Sequence, residues 1–312
     1  MVGNKDNNFL SPRGKDNKFK RFLISIFGKT AGDIAFNIVN YFIFILLFII
    51  CLFPFFYVLI ESLKLVDTSG PNPTTYFGFD AYGMVFNNDD LLSSLLFSIL
   101  VTVVSTFLSV VLTVLCAYPL TRTSLKGRNI FLLYIIFAML FSGGFIPFYL
   151  LISETLNLRG NPLVYIIIGL VSPYNIIIVK NFIKGIPEEI MESARVDGAS
   201  EVRTLFQIVL PLSGPIIATI ALWVAVGKWN DWMTSLYYMG DADKSLWMFQ
   251  YYLQEILATA GSDNPNPDPS IVALSENVRN SAVIISILPI IVVYPFIQKY
   301  FVKGVLLGSV KG

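Results

Sequence analysis

The residues best equipped for chemistry stand in one short run, Gly227-Lys228-Trp229-Asn230-Asp231-Trp232, near the end of a long apolar stretch. Indole faces stack on the C–H face of a pyranose while Asn230 and Asp231 can take its hydroxyls, an apolar platform with a few polar fixers. A plainer role suits the same residues, with the tryptophans in an interfacial belt and Lys228 paired to Asp231 at i, i+3. Two further groups interrupt apolar stretches. Ser142-Gly143-Gly144 before Pro147 loosens one of them, either to line a wet cavity or to let helices pack closely through glycine. Tyr174 and Asn175 follow the Ser172-Pro173 interruption and form a second aromatic and polar pair.

None of these groups is a catalytic centre. The chain has no histidine, which rules out His-dependent catalysis and His metal sites. Cys51 and Cys116 fall inside apolar runs and read as small buried hydrophobes, not as a disulfide or a metal site. No G-x-x-x-x-G-K-[ST] phosphate loop occurs, so this chain does not bind and hydrolyse ATP by that route.

The elements that must position the candidate residues follow from composition. With 55% hydrophobic and 14% charged residues, the sequence excludes an ordinary soluble domain and predicts an all-α polytopic membrane protein. Six apolar stretches, at about 36–62, 91–119, 130–151, 162–184, 210–235 and 280–302, are each long enough to cross a hydrocarbon core of roughly 30 Å. Before them lies a polar basic tail, 1–35, in which Phe19 to Phe27 is amphipathic and can lie on the inner leaflet or belong to a disordered tail; no cleavable signal peptide fits. After them comes a short tail, 303–312. Arg122, Lys126, Arg128, Lys180, Lys184, Arg195 and Arg203 fall on the side of the basic tail, so the positive-inside rule places both termini and the 187–209 connection in the cytoplasm. The outer connections 63–90 and 236–279 are long, and in the second Leu246, Phe249, Leu253, Ile256, Leu257 and Ala260 make a helical stripe ahead of a Pro/Asp-rich break.

The 187–215 segment predicts a helix, a tight turn and a second helix. Pro187 suits a first helical position, Glu188 and Glu189 complement the helix dipole, and Gly198 is the expected stop. Ile190, Met191 and Ala194 form one apolar stripe and Val202, Leu205, Phe206 and Val209 another, with Asp197 or Ser200 as the cap between them and Leu210-Pro211 closing the segment. Such a unit is either a folded surface loop or a docking knob, its small residues Ser193, Ala194, Gly198 and Ala199 allowing close approach of a partner.

Glu192, Ala194, Asp197-Gly198-Ala199 and Leu210-Pro211 match the EAA signature, and here the chain resembles the permeases of binding-protein-dependent ABC importers; Ser193 stands where that family usually has alanine. Phe141-Ser-Gly-Gly-Phe-Ile-Pro147 resembles the maltose-type subgroup that carries complex oligosaccharides, and Ser309-Val310-Lys311-Gly312 resembles that subgroup's tail, which inserts between ATPase subunits. The resemblance covers about residue 30 to the C-terminus and implies a six-helix type I importer permease in a bacterial cytoplasmic membrane. It implies an EAA coupling helix within 187–209, a second permease, two ATPase subunits that hold the ATP and Mg, and an extracellular solute-binding protein reached by the 236–279 loop; the alternative for that loop is a helix packed on its own bundle. No cofactor in this chain and no nucleic acid is expected.

Two rivals remain at this level. One is an importer of the same class for peptides, amino acids or an anion, against which the acidic 231–279 segment would repel negative solutes. The other is a secondary transporter or channel, which would carry more mid-span charges for ion coupling than this sequence has.

Overall fold

The computed structural model describes residues 31–67, 74–240, 242–261 and 276–309. The basic piece 19–27, the Pro/Asp-rich break after Gly261 and Val310 to Gly312 lie outside the described residues. The chain divides into two units, Met1–Glu61 and Ser62–Gly312. In the first, helix α1 (Ala31–Leu63) presents apolar side chains along its length, with Pro54 inside it.

The second unit opens with an antiparallel ribbon, β1 (Lys64–Asp67) and β2 (Thr74–Phe77), the one departure from an all-helical chain among the described residues. Helix α2 (Asp80–Phe86) leads to α3 (Asp89–Ala117), which begins where the Asn88 side chain accepts a hydrogen bond from the Leu91 amide and Asp89 and Asp90 complement the dipole. The interior face of α3 is small and hydroxylated, with Ser94, Ser98, Ser105, Ser109 and Thr113 buried, while Leu96, Leu100, Val103 and Phe107 point outward. That inversion of the soluble pattern is what lipid demands, because tails solvate leucine as well as a protein core does and close packing supplies the attraction.

Helices α4 (Arg128–Leu140) and α5 (Phe145–Thr155) meet at 110° across Phe141 to Gly144. After α6 (Leu163–Ile167) and α7 (Pro173–Lys184) come α8 (Glu188–Val196) and α9 (Glu201–Leu212), then α10 (Gly214–Trp229), set at 79° to α9. Helices α11 (Phe249–Gly261) and α12 (Glu276–Ser309) complete the chain. Among the described residues three helices are long and apolar enough to cross a membrane, or five with each bent pair taken as one. Of the six predicted stretches, the third and fifth are therefore sharply bent, the fourth is split into α6 and α7, and the sixth runs on to Ser309 instead of ending near 302.

Two cores lie at opposite ends of α3. Leu91 and Val101 join Tyr165, Met239, Met248, Phe249, Tyr252 and Ile256 in one, and Val114, Ala117, Tyr118 and Leu120 join Ile176, Val179, Met191, Leu205 and Val209 in the other. Phe249, Leu253 and Ile256 of the outer-loop stripe are thus packed on the bundle, whereas Leu257 is exposed. Both cysteines are free and lie on exposed helix faces, correcting the expectation that they are buried; a thiol is apolar enough to face outward from such a bundle.

Candidate functional site

The α8 to α9 elbow is closed by its own backbone. Gly198 sits at φ +77°, its N–H donates to the Arg195 carbonyl at 3.0 Å, and the Ala199 N–H donates to the Ala194 carbonyl at 2.9 Å. These are the two bonds of a Schellman stop, and they satisfy carbonyls the helix end would otherwise leave open. A Cβ added at Gly198 would meet nothing within 4 Å, so glycine is required by the left-handed backbone and not by crowding. Ser200 is the cap that is used, its hydroxyl accepting from the Arg203 amide at 3.3 Å, and Pro187 precedes the first helical residue instead of occupying it.

Each expected stripe is only partly inward. Met191 and Ala194 are buried but Ile190 is 38% exposed, and Leu205 and Val209 are buried but Val202 is 66% and Phe206 57% exposed. A stripe of three or four residues subtends more of the helix than one bundle surface covers. Ile190, Val196, Val202 and Phe206 are therefore left as outward apolar points, with Glu192, Ser193 and Asp197 exposed among them and Ala199 half-buried. Leu210-Pro211 does not end the segment. The helix passes through a wide turn at Leu205–Val209 and ends at Leu212, where Ser213 and Gly214 make the bend.

A polar cluster that the sequence reading did not single out ties this elbow to α3. Arg122, just past the end of α3, places Nη2 2.8 Å from Glu201 Oε2, and the Tyr118 hydroxyl donates to the same oxygen at 2.5 Å. Arg122 also donates to the Tyr118 hydroxyl and lies 4.8 Å from the centre of its ring. Glu201 occupies the first turn of α9, where a carboxylate favours the dipole, and Arg195 of α8 approaches it at 3.9 Å. Arg122, Arg195 and Glu201, with Lys184 and Glu188, border an open cleft of about 480 Å³. In the sequence Arg122 is one basic residue among many and Glu201 an unremarked helix-starting acid; only the fold brings them together across 79 positions.

Of the candidate path residues, Trp229, Asn230 and Asp231 lie at the end of α10 and Tyr174 stacks on it, whereas Gly143 and Gly144 lie at the α4 to α5 bend. Lys228 is buried, and its ammonium donates to the carbonyls of Tyr165 at 2.5 Å and Ile168 at 2.6 Å, so the lysine caps the end of α6 instead of pairing with Asp231 at the expected i, i+3 spacing. Asp231 instead accepts from the Thr234 amide at 3.0 Å and the Thr234 hydroxyl at 2.7 Å. Trp229 is 4% exposed and donates through Nε1 to the Ser286 carbonyl at 2.9 Å, so in this conformation its indole is wedged between α10 and α12 and offers no open face. Asn230 is exposed, with its amide turned back to the Val226 carbonyl. Tyr174 is exposed and stacks on Trp223 of α10, while Asn175 beside it is buried. Gly143 and Gly144 border a cavity of about 500 Å³ at the α4 to α5 bend, and Gly144 at φ 87°, ψ 165° has a conformation open to glycine alone. Phe145, which follows, packs its ring 4.6 Å from that of Tyr237, bringing the bend beside the segment that follows Asp231.

Residues 109–307 match the family model described as binding-protein-dependent transport system inner membrane component. Protein LplC of Bacillus subtilis is 41% identical over 238 residues, covering 76% of this chain and 80% of that protein. The polygalacturonan/rhamnogalacturonan transport system permease protein YtcP of the same organism is 38% identical over 285 residues, covering 86% and 96%. A chain in the crystal structure of a bacterial ABC transporter involved in the import of the acidic polysaccharide alginate superimposes with a TM-score of 0.76 at 28% identity, covering 87% of this chain and 98% of that one. This chain therefore belongs to the binding-protein-dependent transport system inner membrane components: it is a transport permease and not an enzyme.

Proposed function

We propose that this chain is one of two permease subunits of an ABC importer that takes up an oligosaccharide by alternating access. Six crossings serve this role: α1, α3, the bent α4 and α5, the split α6 and α7, α10 and α12, with both termini and the elbow in the cytoplasm. Two ATPase subunits close on ATP and push the elbow, and the bundle swings between inward-open and outward-open states while an extracellular solute-binding protein delivers the solute. Supporting residues on the motor side are Glu192, Ser193, Ala194, Asp197, Gly198 and Ala199, with the C-terminal Ser309 to Gly312 between the ATPases. A ligand-driven swing requires contacts that differ between the two states, so the elbow has to be stiff. The observation that carries this reading is the Schellman-closed elbow, its outer face exposed and its inner face packed against α3 and α7.

A uronate-bearing oligosaccharide is the first substrate class to test, since relatives carry by name polygalacturonan/rhamnogalacturonan and alginate. The acidic 231–279 segment weighs against it, because the capping turns that Asp231 makes at Thr234 and Asp243 at Ser245 leave the negative field of the segment in place. The test is purification of the chain from its native membrane, which should bring a second permease and an ATPase, followed by reconstitution and uptake of neutral and uronate oligosaccharides. Solute uptake by the purified chain alone would refute the proposal.

A further inference from the structure

The Tyr118, Arg122 and Glu201 cluster goes beyond holding the elbow in place, and the inference drawn from it rests on the importer reading. Apolar contact already seats the elbow, through Leu205 and Val209 against the inner core. Such contact is non-directional and lets a helix slide or roll. The polar cluster is directional. One carboxylate oxygen, Glu201 Oε2, takes both the guanidinium at 2.8 Å and the phenol at 2.5 Å, and the phenol oxygen also lies 3.3 Å from the Glu201 carbonyl. The Arg122 side chain is only 15% exposed, and its Nε is buried without a hydrogen-bond partner among the described residues. A guanidinium so placed depends on Glu201 for its compensation, because separating the two would leave a largely buried charge unpaired. The cluster joins the segment just past the C-terminal end of α3 to the first turn of α9, adding a polar contact to the apolar one that α3 and α9 make in the inner core. Helix α3 in turn packs on α10, at the end of which Trp229, Asn230 and Asp231 lie.

We propose that Tyr118, Arg122 and Glu201 are positioning residues that clasp α9 to the inner end of α3, so that displacement of the elbow turns α3 and α9 as one body. Without the clasp the elbow still binds its motor but slips over α3, and ATP is spent without a matching swing of the bundle.

The test is the number of ATP molecules hydrolysed per solute imported by the complete transporter in proteoliposomes, with the solute-binding protein present. Glu201→Gln and Arg122→Met should each raise that ratio about fivefold or more, the scale of a typical coupling between sites. The double variant should be no worse than the more severe single one, because members of one network do not add. Tyr118→Phe removes a single oxygen and keeps the ring, so it carries the test if Arg122→Met fails to accumulate, with an expected rise of about twofold. An unchanged ratio in Tyr118→Phe and Glu201→Gln overturns the clasp, as does hydrolysis and uptake falling together in constant proportion, or strict additivity in the double variant. Failure of the wild-type complex to import in an ATP-dependent way would instead overturn the importer reading and the clasp with it.

Discussion

Substitution of Gly198 isolates backbone conformation from packing. The site is open, with no atom within 4 Å of a built Cβ, so any loss on substitution comes from the φ of +77°. An L-residue in the left-handed region costs about 1–2 kcal/mol, a β-branched one at the upper end, and asparagine only a fraction of that. Lowering the stability of the closed turn by about 1 kcal/mol shifts its ratio of formed to opened elbow about fivefold, and by about 2 kcal/mol about thirtyfold. Uptake per ATP should therefore fall in the order glycine, asparagine, alanine, valine. The measurement is ATP hydrolysis and solute import by the reconstituted transporter carrying each variant, with assembly checked by co-purification of the ATPase. Gly198→Val with wild-type stoichiometry would refute the stiff-elbow mechanism, and Gly198→Asn as damaging as Gly198→Val would show that the loss comes from something other than the left-handed turn.

Lys228→Met should lower the thermal stability of the purified protein by about 2–4 kcal/mol, since it leaves the Tyr165 and Ile168 carbonyls without their charged donor; a midpoint equal to wild type in thermal unfolding would remove the capping role. Gly144→Ala should cost about 1–3 kcal/mol and reduce uptake, whereas Gly143→Ala, with a negative φ, should be tolerated; equal effects at both positions would contradict a conformational requirement at Gly144. Asp243 is held below the ordinary carboxylate value by the Ser245 amide and then by the Ser245 hydroxyl. A depressed folded-state value means that the turn's contribution is fully present above the ordinary value of 3.8 and is lost only as pH falls through the lower one. Emission from nearby Trp247 should accordingly be flat from about pH 8 to pH 5, and a transition within that window would show a different group controlling the turn.

How much of this was legible in the sequence depends on whether the signal was local. The elbow was: Gly198, Ser200 and the two acids at Glu188 and Glu189 act within a few residues of themselves, so their types and spacing carry the turn. Apolar stretches were legible as stretches but not as straight helices. The bends of 110° and 79° sit at Gly143-Gly144 and at Ser213-Gly214, where hydropathy stays high while backbone freedom rises. A hydropathy window registers the first property and not the second.

The candidate path residues show the opposite case. Trp229, Asn230 and Asp231 have the composition of a sugar platform, yet Trp229 is held by the Ser286 carbonyl of α12, Asp231 by Thr234 and Lys228 by two carbonyls of the split fourth stretch. Composition measures what side chains can do, and the fold decides which of their groups remain unspent. Long-range pairing such as Arg122 with Glu201 leaves no periodic trace, because the two residues meet only after α4 to α8 have folded back against α3. For an importer that works by moving rigid parts, this matters functionally. The local elbow can be stiff by itself, but on the proposed mechanism stiffness reaches the candidate path residues through contacts made between distant segments, at α9 on α3, at α3 on α10 and at Lys228 on the end of α6.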